Sequence, residues 1–300
     1  MTNITLLDGG MSRELERCGA VLKQPEWSAL ALIDKPDAVR AAHEAFLKAG
    51  SDVVTTNTYA IVPFHLGQER FEACGHDLAD LSGRLAQDAA KTKPGARIAG
   101  SLPPACGSYQ PDNFDPEEAE KILSVLVRAL EPHVHIWLAE TMSSLEEAQV
   151  TAAAVAGSDH PLWISYTLRD DAAPGEMAEP LLRSNETVRD AVALAIKLEA
   201  EAILFNCSMP EVMQQAIESA RQVMHTKGCN LPIGVYANAF GSQDEDGAAN
   251  EVISEVRDDL KPDAYGLWAD RWLQAGASMV GGCCGITSDH IAALHTRYKG

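Results

Sequence analysis

The chain has 300 residues, of which 46% are hydrophobic, enough to bury a sizeable core. Its 43 acidic residues against 24 basic ones give a formal charge of −19; such a surface repels phosphate backbones and anionic lipid, which argues against nucleic-acid and membrane-surface roles. The N-terminal MTNITLLD lacks the basic start and apolar run of a signal peptide, and no stretch approaches the roughly 20 apolar residues that span a bilayer, so a cytoplasmic location is expected.

Short apolar runs that read as buried strands alternate with longer stretches of helical periodicity. The first run is 4–8. The second, 52–59, follows a helical stretch at 38–49. The third, 97–102, follows 78–91, and the fourth, 134–140, follows 116–130. The fifth, 162–167, follows 145–156, and the sixth, 202–207, follows 187–200. The seventh, 233–237, follows 211–225. The eighth, 277–282, comes after an acidic loop and helical stretches near 250–260 and 263–275, and a last helix covers 288–298. Eight such units predict an α/β fold, a (β/α)8 TIM barrel forming a single domain over 1–300. A doubly wound sheet is the alternative; it usually carries a glycine-rich phosphate fingerprint after its first strand, and the DGGMS found there is not one.

In such a barrel function sits where strands end. The strand ends carry Asp8-Gly9-Gly10, Thr56-Asn57-Thr58-Tyr59, Gly100-Ser101, Glu140-Thr141, Ser165-Tyr166, Asn206-Cys207, Tyr236-Ala237-Asn238 and GGCCG at 281–285. Seven cysteines in a chain of this size, in a reducing compartment, are core residues, nucleophiles or metal ligands rather than disulfides. Adjacent cysteines rarely bridge each other, and the glycines around Cys283 and Cys284 allow both sulfurs to face one point. Cys207 alone would be a small buried residue at a strand end. Taken with GGCCG it completes three thiolates that leave one position open on a tetrahedral Zn2+, the pattern of a catalytic site. Such an electron-rich site suits binding a further thiol as thiolate, ready to attack an activated methyl group. Cys18, Cys74, Cys106 and Cys229 fall in helices or loops and read as ordinary residues, as do the histidines.

These residues stand in motifs that resemble the homocysteine S-methyltransferases: LLDGGMSRELE at 6–16, AGSDVVTTNTY at 49–59, LAET at 138–141, FNCS at 205–208 and GGCCGITSDHI at 281–291. That group includes betaine–homocysteine methyltransferase, S-methylmethionine-dependent enzymes and the homocysteine-binding module of cobalamin-dependent methionine synthase. The resemblance runs from the first strand to the last and implies a (β/α)8 barrel. It implies zinc on Cys207, Cys283 and Cys284, with homocysteine sulfur as fourth ligand. It places Asp8 and Glu140 at the amino end of homocysteine, where a carboxylate holds an ammonium. The backbone around Gly9, Gly10 and Met11 would then take the substrate carboxylate. Trp27 and Tyr59 are donor-side candidates, since aromatic faces attract methylated onium groups; Tyr59 is also expected to aim its hydroxyl into the site, toward the zinc when substrate is absent. Asn57, Ser101 and Asn238 would line the site.

The expected reaction is therefore methyl transfer from an onium donor, S-methylmethionine or S-adenosylmethionine first, to the homocysteine thiol, forming methionine. The partners expected are these small molecules, with homo-oligomerisation left open. Alternatives are betaine or a methylcorrinoid as donor, another thiol or selenol as acceptor, and a non-catalytic zinc- or thiol-binding barrel. Met11-Ser12-Arg13 replaces the threonine usual soon after DGG, and GITSDHI replaces GTTPEHI. Neither departure touches the zinc ligands, and both leave the donor unassigned.

Overall fold

A computed structural model describes residues 4–171, 179–241 and 257–300. It contains eight strands: β1 (Thr5–Leu6), β2 (Val53–Thr55), β3 (Arg97–Leu102), β4 (Ile136–Met142), β5 (Leu162–Thr167), β6 (Ala202–Asn206), β7 (Ile233–Tyr236) and β8 (Met279–Val280). They are hydrogen-bonded in the order β1-β8-β7-β6-β5-β4-β3-β2, and every ladder is parallel. Helices between consecutive strands surround this sheet, giving the expected (β/α)8 barrel.

β1 and β2 stand at the two ends of the strand order, and side chains help close the seam between them. The Asp52 N–H donates to the Leu6 carbonyl (2.7 Å), and the Leu6 N–H donates to Asp52 Oδ2 (2.8 Å). At the other end of the seam the Thr55 N–H donates to Asp8 Oδ2 (2.7 Å) and the Thr55 hydroxyl to Asp8 Oδ1 (3.1 Å). Two carboxylates thus accept where a neighbouring strand's carbonyls otherwise would, satisfying backbone donors that burial would leave costly.

The bore is filled. Leu7, Val53, Ala99, Leu138, Trp163, Leu204 and Met279 pack against one another inside it. A larger apolar layer, with Phe46, Trp137, Phe205 and Trp272 fully buried, lies between strands and helices. Because side chains plug the interior, a ligand finds its place at the rim formed by the strands' C-terminal ends.

Local signals explain most helix boundaries. The helix Pro36–Ala49 starts with proline at its first position, where the missing N–H costs nothing, and stops at Gly50 with φ 115°. Asp115 caps Pro116–Leu130 by accepting from the Glu117 and Glu118 N–H groups. Three short helices escape the sequence pattern: Met11–Arg17, Ala29–Asp34 and Pro63–Leu66. The helix expected at 78–91 is Gln68–Ala90, its first turns rich in charge and so weak in apolar periodicity. β1 and β8 are shorter than the runs at 4–8 and 277–282, because both continue as loops into the site. Of the stretch at 250–260, residues 250–256 lie outside the described residues and Asp258–Leu260 is a 3-10 turn. No helix among the described residues is long and apolar enough to cross a membrane.

Candidate active site

The loops after β6 and β8 bring three cysteines together at the rim. The Sγ atoms of Cys207, Cys283 and Cys284 all lie within 4.8 Å of one another. Cys283 Sγ is 3.0 Å from Cys207 Sγ, and Cys284 Sγ is 3.9 Å from it. Thiolates on one tetrahedral zinc sit about 3.8 Å apart, given bonds of about 2.3 Å, so the cluster is close to what zinc demands. No histidine or carboxylate joins this group among the described residues.

Glycines make the approach achievable. A Cβ on Gly10 would stand 2.3 Å from the Cys283 carbonyl oxygen, so only glycine lets the end of β1 lie against the cysteine loop. A Cβ on Gly282 would meet the Ile286 side chain at 2.1 Å. The Gly10 N–H donates to the Ile286 carbonyl (2.8 Å), which fastens the two loops. That bond commits one of the amides expected to meet a substrate carboxylate. Met11 opens the short helix that follows.

The three thiols do not titrate alike. Cys207 is held well below the usual thiol range, chiefly by the Cys283 and Cys284 thiols and then by the Tyr109 hydroxyl, which donates to it at 2.9 Å. Cys283 and Cys284 are pushed well up, first by their interaction with Cys207. One thiolate thus forms at the expense of its neighbours, and all three ionise together only beside a compensating cation.

Two carboxylates face the same rim. Glu140, near the end of β4, accepts from the Ser101 hydroxyl (2.7 Å). Burial raises Glu140 to about 7, with the Asp8 charge adding to the effect. Asp8 is likewise raised to about 7 by burial, although its bonds from Thr55 oppose the shift. Burial first, and then the Glu140 charge, push the nearby Tyr236 hydroxyl well up.

Strained backbone collects here. Six described non-glycine residues have φ in the left-handed region, and four surround the rim: Trp27 (47°), Tyr109 (64°), Thr141 (62°) and Cys207 (49°). Each costs about 1–2 kcal/mol, so neighbouring bonds must hold it. Asn206 supplies several. Its Oδ1 accepts from the Thr141 N–H (3.2 Å) and the Ser165 hydroxyl (2.7 Å), and its Nδ2 donates to Thr141 Oγ1 (2.8 Å). The residue before Cys207 thereby fixes the residue after Glu140.

Aromatic groups form one wall. Trp27 packs edge-on against Tyr59, with ring centroids 5.9 Å apart. The Tyr59 hydroxyl pairs with Ser108 Oγ at 2.6 Å, not with the cysteines. The tyrosine on Cys207 is instead its chain neighbour in that loop, Tyr109. Sequence reasoning missed it because the loop 103–114 carries no periodicity to aim a side chain; Gly107, with φ 126°, was the available hint of a tight fold there. Asn57 Nδ2 donates to the Ser28 carbonyl (3.0 Å), beside Trp27. Asn238 accepts from the Phe240 N–H (3.2 Å) and braces its own loop.

The sequence profile of homocysteine S-methyltransferases matches residues 5–298. The chain belongs to the homocysteine S-methyltransferase family. It is 28% identical to homocysteine S-methyltransferase 1 of Zea mays, over 98% of this chain and 94% of that one. It is also 28% identical to the homocysteine S-methyltransferase of Escherichia coli K12, over 98% and 95%. A selenocysteine Se-methyltransferase of Brassica oleracea var. italica is 24% identical over 97% and 88%. Among solved structures, the metallated form of the E. coli homocysteine methyltransferase MmuM superposes with a TM-score of 0.76, at 28% identity, covering 98% and 96% of the two chains. Family membership and geometry meet at the rim, where the family motifs supply the cysteines, both carboxylates and the glycines between them.

Proposed function

We propose that this chain transfers a methyl group from an onium donor, a sulfonium such as S-methylmethionine or S-adenosylmethionine in the first place, to the thiol of homocysteine, forming methionine with zinc as cofactor. The observation that carries the reading is the convergence of Cys207, Cys283 and Cys284, with Glu140 and Asp8 close enough to feel each other's charge. These cysteines would hold the metal, and their sulfur spacing suits it. When bound, zinc keeps an acceptor thiol ionised at neutral pH while leaving it nucleophilic. That the E. coli relative exists in a metallated form supports a metal at this site.

The chain's own residues do the rest. Glu140, backed by Ser101, and Asp8 hold the acceptor's ammonium. Their raised pKa values mark charges that burial disfavours and that an ammonium would stabilise. Tyr109 donates to Cys207 and steadies charge on that sulfur. The Trp27–Tyr59 pair presents aromatic surface beside the site, which favours an onium donor through cation–π attraction. The filled bore below excludes water from the underside. In-line displacement at the methyl carbon needs no general base once the acceptor is a thiolate, and no covalent enzyme intermediate.

Removing the metal tests the assignment. Chelator-stripped protein is expected to form no methionine, and stoichiometric zinc to restore it; full turnover without metal would overturn the cofactor assignment. A second test isolates the carboxylates. Methionine carries the same ammonium as homocysteine but no thiol proton, so its binding reports on them alone. Both groups must ionise, and both titrate near 7, so affinity falls as pH drops through 7, by about tenfold per unit for each carboxylate involved. Calorimetric titration between pH 8 and 5.5 would show this; a flat dissociation constant would remove Asp8 and Glu140 from the ammonium site.

A further inference from the structure

A buried guanidinium stands beside the cysteines and takes no part in the chemistry above. Arg183 lies between the short bridges Leu168↔Leu182 and Leu181↔Thr187 that follow β5. Its side chain is 7% exposed, and its guanidinium carbon lies 4.8 Å from the centroid of the Tyr109 ring. Tyr109 donates to Cys207, so a single aromatic ring separates this cation from the thiols. Asp170 is the neighbouring anion. Its Oδ2 accepts from the Met209 N–H (3.0 Å), two residues beyond Cys207, and its Oδ1 is 3.0 Å from Arg183 Nη2. That last contact has the distance of an ion pair without the alignment of a hydrogen bond. Arg183 Nε, Arg183 Nη2 and Asp170 Oδ1 all lack hydrogen-bond partners among the described residues.

The edge these two nitrogens form matters: Nε has no partner among the described residues, and Nη2 has only its ion pair with Asp170. Nε–H and one Nη2–H point the same way and form the side-on edge of a guanidinium, the fork that takes a carboxylate through two parallel bonds. Buried donors are nearly always hydrogen-bonded, so a fork with an ion pair at one nitrogen and no hydrogen bond at either points to a ligand. The acceptor is poorly placed to supply that carboxylate. Its ammonium would be held by Asp8 and Glu140 on β1 and β4, and its own carboxylate hangs from the same carbon. The donor must approach the acceptor sulfur from the opposite side, which leaves its far end directed toward the walls of the rim. The Tyr109 ring would lie between the donor's cation and Arg183, screening like charges, since an aromatic face accommodates either.

We propose that Arg183 binds the carboxylate of the methyl donor side-on, and so selects onium donors that carry a carboxylate. The inference rests on the methyl-transfer reading. It predicts a specificity residue, acting on donor affinity rather than on the acceptor.

The test uses full-length, zinc-loaded protein, free of homocysteine so that the donor is not consumed, and two probes: S-methylmethionine and its decarboxylated counterpart, (3-aminopropyl)dimethylsulfonium. Calorimetry on the unaltered protein should show S-methylmethionine binding tighter by about tenfold or more, and Arg183→Gln should abolish that preference while leaving affinity for the decarboxylated probe unchanged. Arg183→Lys, which keeps the charge without the fork, should recover part of it. Equal binding of both probes by the unaltered protein, binding of neither, or equal weakening of both by Arg183→Gln would overturn the proposal. The comparison of probes on the unaltered protein decides the matter even if Arg183→Gln fails to fold. Methionine is measured in parallel samples with homocysteine added. Selective binding of S-methylmethionine with no methionine from any donor would sink the methyl-transfer reading and leave the carboxylate site standing.

Discussion

Replacing Cys284 with serine is expected to abolish metal loading and methionine formation together. The hydroxyl is nearly isosteric with the thiol, so the loop should still fold, but it gives up its proton far less readily and binds zinc poorly. Cys207 and Cys283 stay in place, yet two sulfurs leave the metal under-coordinated. Loss of an outer-sphere partner already costs 10–100-fold in metal affinity or activity, so loss of a direct ligand should cost more than about a hundredfold in both. The same holds for Cys207→Ser and Cys283→Ser, and the three should be alike because the sulfurs share one point within 4.8 Å. Metal content by mass spectrometry, thermal melting and methionine formation are read on each variant. A well-folded variant with full activity and no metal would remove zinc from the mechanism. A variant that keeps zinc and loses activity would mean that the lost cysteine serves the acceptor rather than the metal.

Glu140→Gln should separate binding from stability in opposite directions. The amide keeps the side chain's shape and its bond from Ser101, but loses the charge that would hold an ammonium. Hydrogen bonds to charged groups contribute about 1.5–3 kcal/mol, so affinity for homocysteine and methionine should fall about 10- to 150-fold, with zinc retained. Stability should change the other way. The carboxyl titrates near 4.5 when unfolded and near 7 in the folded protein, where burial disfavours its charge. The folded state therefore binds this proton more tightly, and its stability falls as pH rises from about 4.5 through 7. Above 7 the whole penalty is present, and the glutamine variant escapes it. Glu140→Gln should therefore melt higher than the unaltered protein at pH 8 and match it near pH 4. Unchanged ligand affinity would dismiss Glu140 from the site, and a melting temperature lowered at pH 8 would show that its charge is compensated within the fold.

Most of the barrel was legible because its buried parallel strands are nearly unbroken apolar runs. AILFN and LWISYT can only be buried strands, and their limits were close to those observed. The ends of the barrel were harder. β1 and β8 have only two residues each in the ladder, because both continue as loops into the site, and the seam between β1 and β2 is closed by Asp52 and Asp8 rather than by a full set of backbone bonds. Nothing in the spacing of apolar residues reports such side-chain substitution. It also gives Asp8 a task the sequence could not show, since both its oxygens accept from Thr55.

The site divides in the same way. Residues at or beside strand ends were readable, because the strand fixes their position at the rim before the loop begins. Cys207, Glu140 and Ser101 belong here, as do Cys283 and Cys284, which the flanking glycines single out. Residues carried by loops were not. Tyr59 was expected to turn its hydroxyl into the site, but that hydroxyl pairs with Ser108, and a tyrosine fifty residues later, Tyr109, donates to Cys207 from a left-handed φ in a loop without periodicity. Arg183 and Asp170 meet only through chain segments that follow β5, and neither belongs to a motif. Asn57, which looked like a rim residue from its place after β2, spends its amide on the Ser28 carbonyl and so supports the loop that carries Trp27.

The most direct test of the central claim is a donor screen on reduced, zinc-loaded protein. Homocysteine is supplied with S-methylmethionine, S-adenosylmethionine, betaine or dimethylsulfoniopropionate in turn, and methionine is quantified by mass spectrometry. The three-cysteine site beside an aromatic wall predicts methionine from a sulfonium donor. No methionine from any of the four, with zinc confirmed in the protein, would contradict it.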